Sequence, residues 1–332
     1  MTRRGLVLGG GGVLGAAWMI GALSALEEHE GVDARHYDYI VGTSAGSVVG
    51  ALLAAGVTVE ELRSQELRGV VETGPLAGFH WDYESATGGD RPPTPKAGLG
   101  SVELLRRHRG RLGALPPTAV IAALLPEGRG RLDAVGAMVR HAIPSGWARH
   151  RGLRVTAVDY GAGERVAFGG PGAPEVDLAD AVMASCAIPG WYQPVVMGHR
   201  RFIDGGAWSS TNADLLIGEG LSDVVVLAPQ VSFAPDQPAA LAPRIERQWR
   251  ARVTARVLHE LQRLHADGAD VTVLGPGAED LEAFGANMMD VSRRPRVIET
   301  SLRTSLAALR EAGELPAAAP FDAVAESLET PS

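Results

Sequence analysis

The first sixty residues contain the same arrangement of apolar and small side chains twice. In each copy a short apolar run precedes a glycine-rich turn, and apolar residues at helical spacing follow the turn. The first copy has its strand at 5–8 and its helix at 13–29, and the second has its strand at 39–41 and its helix at 47–55. Successive strand–turn–helix units are typical of α/β proteins. The pattern therefore predicts a parallel sheet with covering helices.

The middle of the chain interrupts this pattern. Residues 73–100 are rich in glycine, proline and aromatic side chains and have no periodicity, which predicts a long irregular loop. Three short helical patterns then lie between glycine and proline breaks, at 102–108, 118–125 and 132–141. We therefore expect a helical cap insertion at about residues 73–150.

The sheet pattern resumes after the cap and continues almost to the end of the chain. Helical spacing predicts two more helices, and apolar β-forming runs predict five more strands. These helices lie at 177–186 and 244–265, and the strands lie at 153–159, 164–168, 201–204, 224–227 and 271–274. We therefore predict a single domain of residues 1–315 followed by a C-terminal tail of residues 316–332.

Composition and charge narrow the classes of function. The chain has 332 residues, 45% of them hydrophobic, and its 39 acidic and 31 basic side chains give a net charge of −8. Nucleic-acid binding needs a basic surface, so this balance argues against a nucleic-acid partner. The single cysteine, Cys186, can neither close an internal disulfide nor form a thiolate metal site alone. We expect a cytoplasmic protein.

The amino-terminal run has a superficial likeness to a signal peptide, because two arginines precede an uncharged stretch from Gly5 to Leu26. Four consecutive glycines at 9–12 interrupt the apolar helix that such a signal needs. The same glycines break the continuous hydrophobicity of a membrane-spanning helix. We therefore expect neither a signal peptide nor a membrane span here.

Residues 42–46 read GTSAG and match the pattern GxSxG between a predicted strand and a predicted helix. A serine on such a sharp turn projects its hydroxyl clear of the backbone, and glycines two residues before and after it let strand and helix approach closely. The helix N-terminus also directs partial positive charge at the hydroxyl. Ser44 is therefore the candidate nucleophile, with Gly42 and Gly46 supporting its turn.

The glycines at the end of the first strand allow two interpretations. The N–H groups of Gly10, Gly11 and Gly12 could face the serine and stabilise an oxyanion. Alternatively, Gly10, Gly12 and Gly15 satisfy GxGxxG, the fingerprint of dinucleotide-binding oxidoreductases. That fingerprint expects an acidic residue at the end of the next strand, whereas this strand ends in Val41 and the GTSAG turn.

A serine nucleophile needs a base, and an aspartate is the better candidate. The histidines His199, His259 and His265 do not lie in a context that a catalytic triad demands. Asp204 ends a predicted strand and is followed by two glycines, Gly205 and Gly206, whose N–H groups can orient its carboxylate. Because an ordinary aspartate is a weak base, burial must raise the pKa of Asp204 if it has this role.

Three motifs in order along the chain resemble those of the patatin-like phospholipases. They are the glycines at 9–15, GTSAG at 42–46 and DGG at 204–206. The segment SCAIPGWYQPV at 185–195 is also similar to the family's segment before its aspartate strand. The resemblance therefore covers roughly the first 230 residues.

This resemblance implies a three-layer α/β/α fold with a mostly parallel central sheet and a lipid acyl hydrolase activity. It implies that Ser44 is the nucleophile, that Asp204 is its base, and that the backbone N–H groups of Gly10, Gly11 and Gly12 form the oxyanion hole. The implied partner is a lipid or another ester, and neither a metal nor a cofactor is implied. An acyltransferase and a catalytically weak lipid-binding homologue remain alternatives.

One departure from the family concerns the glycine loop, which usually reads GGGxRG or GGGxKG. Here Val13 and Leu14 precede Gly15, so the basic residue is missing. Its absence predicts either a preference for neutral esters or a weaker oxyanion hole. It is also why an acyltransferase or a binding protein stays open.

Two surfaces are candidates for contact with a membrane. Phe79, Trp81 and Trp147 could touch a lipid surface transiently, although scattered aromatic residues more often belong to a local core. The arginine-rich helix at 244–265 could touch an anionic surface, but we expect a solvated face with paired acids.

Overall fold

A computed structural model describes residues 3–81, 93–233 and 241–314. Its centre is an eight-stranded sheet. The strands are β1 (Arg4–Leu8), β2 (Tyr39–Thr43), β3 (Leu153–Asp159), β4 (Glu164–Phe168), β5 (Val195–Met197), β6 (Arg200–Asp204), β7 (Asp223–Leu227) and β8 (Asp270–Leu274). The predicted tail at 316–332 lies outside the described residues.

The sheet is mostly parallel, with antiparallel strands near one edge. Its order is β5-β6-β3-β2-β1-β7-β8, and β4 pairs with β3 off this path. The strands β3, β2, β1, β7 and β8 are parallel to one another, whereas β4 and β6 run antiparallel to β3. The carboxyl ends of β1 and β2 therefore lie at one edge of the sheet, where the glycine loop and the GTSAG turn follow.

Helices cover both faces of this sheet. They are α1 (Gly12–Glu30), α2 (Ala45–Ala54), α3 (Val59–Arg68), α4 (Val102–Arg107), α5 (Pro117–Leu124), α6 (Asp133–Ala142), α7 (Leu178–Ser185), α8 (Leu241–Ala266), α9 (Ala278–Phe284) and α10 (Arg294–Glu314). Leu6 and Leu8 of β1 pack in a cluster with α1 and α2, whereas Val7 packs in a second cluster with α8. Because successive strand residues point to opposite faces, the fold has three layers, α/β/α, as predicted.

The predicted elements are present, with boundaries that differ by a few residues. The short helices α4, α5 and α6 occupy the three helical patterns expected in the cap. Sequence patterns missed α3, α9, α10 and the three-residue strand β5. In α3 only Val59, Leu62 and Gln65 are buried among charged residues, so its apolar face is too narrow to produce a clear periodicity.

No helix within the three described ranges has both the length and the apolar composition needed to cross a bilayer. The long helix α10 carries charged residues along its exposed side and packs against α1 through buried residues such as Val297 and Ile298.

Candidate active site

Ser44 lies at the turn between β2 and α2, with φ 52° and ψ −122°. Among the described residues other than glycine, only Ser44 and Asn212 have a positive φ, which is unfavourable for a residue with a side chain. The Ser44 N–H donates to the Ser185 hydroxyl at 2.8 Å, and the Ser47 hydroxyl donates to the Ser44 carbonyl at 2.7 Å. Neighbouring groups thus hold the backbone in this conformation.

The glycines on either side of Ser44 permit a close approach of strand and helix. A β-carbon at Gly46 would overlap the carbonyl of Leu8, and a β-carbon at Gly42 would lie 2.6 Å from the Cα of Ser47. Both obstacles are backbone atoms, which side-chain rotation cannot remove. The turn therefore requires glycine at both positions.

Asp204 ends β6 and meets Ser44 at the same edge of the sheet. Its side chain is only 5% exposed, and its Oδ1 accepts the Gly206 N–H at 2.7 Å. The Ser44 hydroxyl lies beside the Asp204 carboxylate and favours its charged form. A β-carbon at Gly205 would lie 2.6 Å from the carbonyl oxygen of Thr156, so the glycine after the aspartate lets β6 turn close to β3. The structure thus brings together two side chains that are distant in the sequence.

Burial raises the pKa of Asp204 from the ordinary 3.8 to about 6. The hydrogen bond from Gly206 and the nearby Ser44 hydroxyl favour the charged form and oppose this shift, but the loss of hydration is the larger effect. Burial also raises the pKa of the neighbouring Cys186 thiol, and the Asp204 charge adds to that rise. Cys186 is therefore held as a neutral thiol, which is a poor nucleophile.

The glycine loop differs from the expectation at one residue. The Gly10 N–H donates to the Ser210 carbonyl at 2.8 Å, so this N–H is engaged and cannot serve an oxyanion in this arrangement. No described residue accepts a hydrogen bond from the N–H groups of Gly11 or Gly12. Gly12 begins α1, so its N–H also carries the partial positive charge of a helix N-terminus. Gly10 instead brings the loop close to Ser44: a β-carbon there would lie 3.4 Å from the Ser44 Cβ.

The start of α1 is covered by a segment from the C-terminal part of the chain. The Leu14 N–H donates to the Met288 carbonyl at 2.9 Å, and the Met289 Sδ lies 3.0 Å from the β-position of Gly12. Dinucleotide-binding proteins place the ligand's pyrophosphate at this point of the helix. The structure therefore argues against the dinucleotide interpretation of GxGxxG.

Leu14 occupies the place of the basic residue that the glycine loop usually carries. Its side chain is fully buried in the core cluster, whereas Val13 lines the cavity beside Ser44. The loop therefore presents an apolar side chain to the cavity.

A network of buried polar side chains contacts the residue before Ser44 and stabilises the turn. The hydroxyls of Thr43 and Thr156 lie 2.8 Å apart, and the Asn212 side-chain amide donates to the Thr43 hydroxyl at 3.0 Å. The same amide donates to the Ser209 carbonyl at 2.7 Å. Asn212 is fully buried with φ 54°, so the loop after Asp204 ties the aspartate segment to the residue before Ser44.

An apolar cavity of about 110 Å³ opens at Ser44. Its walls come from α1, α2, α3, α6 and the segment 186–192. Among its lining residues are Ala16, Ile20, Val49, Leu52, Leu62 and Val135. Glu66 is the single charged residue of the described lining, and it pairs with Arg294 at 2.9 Å. The cavity therefore suits a hydrocarbon chain.

The other candidate residues do not join the pair of Ser44 and Asp204. His199, His259 and His265 are exposed, as expected of histidines outside a triad. Phe79, Trp81 and Trp147 are half-buried and pack against the main core, and Trp81 lines the cavity. Within the described ranges, no cluster of three or more His, Cys, Asp or Glu residues is placed to bind a metal ion.

The arginine-rich helix corrects one expectation. Arg256 and Arg263 are exposed, but Arg250 is buried and donates to the carbonyls of Pro229 and Val231. The helix face at Arg250 is therefore part of the fold and not a solvated surface.

Sequence reasoning missed two residues that hold the site together, Ser185 and Asn212. Ser185 begins the segment SCAIPGWYQPV, so the resemblance contained a signal for it. Asn212 follows Asp204 by eight positions and had no signal in the pattern.

The part of the chain that contains the site resembles known proteins. A family model described as patatin-like phospholipase matches residues 6–217, which include Ser44 and Asp204. No curated protein matches the chain. Among solved structures, the chain is similar to VipD from Legionella pneumophila, with a TM-score of 0.43 and 12% identity over 94% of this chain and 67% of that one.

Proposed function

This chain belongs to the patatin-like phospholipase family, and we propose that it is a serine acyl hydrolase that cleaves carboxylic esters of lipids. The observation that carries the proposal is that the Ser44 hydroxyl lies beside the buried carboxylate of Asp204 and at the opening of an apolar cavity. The nucleophile is Ser44 and the base is Asp204. Gly11 and Gly12 supply the oxyanion hole, and Gly10 positions their loop.

In the first half of the reaction, the Ser44 Oγ attacks the ester carbonyl and the hydroxyl proton passes to the Asp204 carboxylate. The carbonyl oxygen becomes an oxyanion, which the N–H groups of Gly11 and Gly12 stabilise together with the N-terminus of α1. The C–O bond to the alcohol then breaks. The leaving alkoxide takes the proton from Asp204, and the acyl group remains on Ser44.

In the second half, the regenerated Asp204 carboxylate takes a proton from water, and the resulting hydroxide attacks the acyl-enzyme. The same N–H groups stabilise the second oxyanion. Collapse breaks the bond to Ser44, whose oxygen recovers the proton from Asp204. The carboxylic acid leaves and the free enzyme is restored.

The lining of the cavity supports a long acyl chain as the bound part of the substrate. The cavity walls beside Ser44 are apolar, and the loop side chain next to it is the apolar Val13. Transfer of each methylene from water into such surroundings is favourable by about 0.8 kcal/mol. We therefore propose uncharged lipid esters as the preferred substrates.

The test compares the variants Ser44→Ala and Asp204→Asn with wild type in the hydrolysis of p-nitrophenyl esters. We expect each variant to lose at least about 10³-fold in kcat/KM. A fluorophosphonate probe should label wild type and fail to label Ser44→Ala. The matched controls are Ser24→Ala on α1 and Asp180→Asn on α7, which lie outside the cavity lining and should keep wild-type activity. Full activity in Ser44→Ala would end the proposal.

A further inference from the structure

The segment at 93–131, here named the cap segment, differs in charge from the rest of the chain. It contains seven basic and two acidic side chains, a net charge of +5, although the whole chain carries −8. The segment comprises α4, α5 and their connections. Positive charge is therefore concentrated on one small part of an acidic protein.

Most of this charge is available to a partner. Among the described residues, five arginines of the cap segment are exposed and form no ion pair. They are Arg106, Arg107, Arg109, Arg111 and Arg129. By contrast, Lys96 pairs with Glu127, and Arg131 pairs with Asp133. A surface of unpaired arginines attracts anionic groups over roughly a Debye length, about 8–10 Å at physiological salt.

The same segment exposes large apolar side chains. Five of the seven exposed large hydrophobic residues among those described belong to it, with exposures between 40% and 51%. They are Leu99, Val102, Ile121, Leu124 and Leu125. The Ser101 N–H donates to the Ala123 carbonyl at 3.1 Å and the Lys96 N–H donates to the Glu127 carbonyl at 2.8 Å, so residues 96–101 run beside 123–127. The exposed apolar residues are thus neighbours in space. Contiguous apolar patches of this kind are unusual on the surfaces of soluble proteins.

This surface adjoins the cavity that contains Ser44. Leu125 lies 3.8 Å from the β-position of Gly190, and the Gly130 N–H donates to the Trp191 carbonyl at 2.8 Å. Ile188 and Tyr192, on either side of these two residues, line the cavity. The loop 188–192 therefore connects the exposed apolar surface directly to the candidate active site.

We propose that the cap segment docks the protein onto an anionic lipid surface. Exposed arginines contact the anionic headgroups, and the apolar side chains of α5 and residue 99 enter the boundary between headgroups and acyl chains. An acidic protein would satisfy the arginines. The exposed leucines and isoleucine beside an acyl-sized cavity, however, match a hydrocarbon boundary better, so a lipid surface is the occupant that the observations favour.

The experiment measures flotation of the full chain with vesicles of phosphatidylcholine containing 30% phosphatidylglycerol, and with vesicles of phosphatidylcholine alone. We expect binding to the anionic vesicles that weakens as salt is raised. The triple variant R106E/R107E/R109E should lose about 100-fold in partition coefficient, because each of the three basic residues near an anionic surface contributes about fivefold. The variant I121S/L124S should lose binding as well, since both apolar side chains are exposed.

The matched control is R149E/R151E/R252E, which makes the same change in net charge with three exposed arginines outside the cap segment. Its partition coefficient should stay within about twofold of wild type. Equal binding of the cap and control triple variants would overturn the proposal. Full binding by I121S/L124S would also overturn it, because attraction through charge alone indicates an acidic partner of another kind.

Binding is also measured with Ser44→Ala, so docking is tested independently of catalysis. Hydrolysis of a soluble short-chain ester should be unchanged in R106E/R107E/R109E, while hydrolysis of an uncharged diacylglycerol carried in the vesicles should fall with the bound fraction. Loss of docking with intact ester hydrolysis supports a surface that serves lipid access. Loss of both activities in this variant would overturn the proposal that the cap segment serves lipid access and not ester hydrolysis itself.

Discussion

The carboxylate of Asp204 is held in a position that ordinarily disfavours its charge. It is nearly inaccessible to water, it accepts a hydrogen bond from the Gly206 N–H, and it lies beside the Ser44 hydroxyl. The sequence predicted the residue, because an aspartate that ends a strand before two glycines is oriented by their N–H groups. The extent of its burial was not predictable, because it depends on how segments distant in the chain pack over the end of β6.

The first prediction concerns the pH dependence of ester hydrolysis. A base with a pKa of about 6 is protonated below that pH and cannot accept the Ser44 proton. We therefore expect kcat/KM to rise about tenfold per pH unit below pH 6 and to level off above it. Released alcohol is quantified by chromatography, which does not depend on pH. A flat profile between pH 5 and 7 would contradict the assignment of Asp204 as the base.

The second prediction concerns the pH dependence of stability. Burial of Asp204 should lower stability as pH rises, whereas ester hydrolysis should become faster as pH rises. The pKa of Asp204 is higher in the folded protein than the ordinary 3.8, so the folded state binds more protons between pH 3.8 and 6. Its contribution to stability is therefore greatest below pH 3.8 and is lost as pH rises through 6. At pH 8, Asp204→Asn should be more stable than wild type by up to about 3 kcal/mol.

The measurement is urea unfolding of both proteins at pH 8 and at pH 4. The difference in the free energy of unfolding should nearly disappear at pH 4, where the wild-type carboxyl group is largely neutral. Asp270→Asn, at an exposed position at the start of β8, is the control and should change stability by less than about 0.5 kcal/mol at pH 8. A destabilised Asp204→Asn at pH 8 would show that the carboxylate is stabilised by its neighbours.

The turn from β2 into α2 shows what a local pattern can predict. GTSAG predicted both the strand–helix turn and the need for glycine on either side of Ser44, because that need follows from the turn itself. The hydrogen bond from Ser44 to Ser185 and the amide of Asn212 at Thr43 were not predictable in this way. They join segments that are more than 140 residues apart, and such pairs have no signature in local spacing.

The third prediction tests the close approach in this turn. In Gly46→Ala the new methyl group would overlap the backbone carbonyl of Leu8, so β1 or α2 must shift. We expect a loss of at least about 2 kcal/mol in the free energy of unfolding. Gly113→Ala is the control, because no atom lies within 4 Å of its β-position. The measurement is the urea midpoint of each variant. The midpoints are compared where the free energy of unfolding depends on urea concentration as it does in wild type.

Helices rich in apolar residues, such as α1, α2 and α5, were predicted, whereas α3 and α10, which are rich in charged residues, were missed. The charged residues of α3 and the buried serines of α10 hide the faces that pack on α1. These helices are stabilised by tertiary contacts, which a single-helix pattern does not reveal. As a consequence, the sequence predicted the layer architecture but not the wall that α3 contributes to the cavity.

The cavity is formed by the molecule as a whole. Helices α1, α2 and α3 of the N-terminal part and helix α6 of the cap insertion at 73–150 meet around it. The fourth prediction is that Ala16→Phe, which fills the cavity from α1, changes the choice of acyl chain. The ratio of kcat/KM for a dodecanoyl ester to that for an acetyl ester should fall at least about tenfold, because several methylenes lose their buried site. Ala266→Phe, at the exposed end of α8, should leave the ratio unchanged.

Thermal unfolding of Ala16→Phe separates this effect from misfolding. A variant that keeps its acetyl ester activity and its melting temperature within a few degrees has lost only cavity space. An unchanged ratio in such a variant would indicate that the acyl chain binds elsewhere.

Because β1 lies inside the sheet, its neighbours limit how far the chain can be shortened. β1 pairs with β2 on one side and with β7 on the other, and Met288 covers the glycine loop that follows it. A gene shortened to the family match, which ends at residue 217, would delete both β7 and Met288. It would leave β1 as an open edge prone to self-association, and it would uncover the loop beside Ser44. The described residues beyond 217, which include β7 and Met288, are thus inseparable from the fold around Ser44.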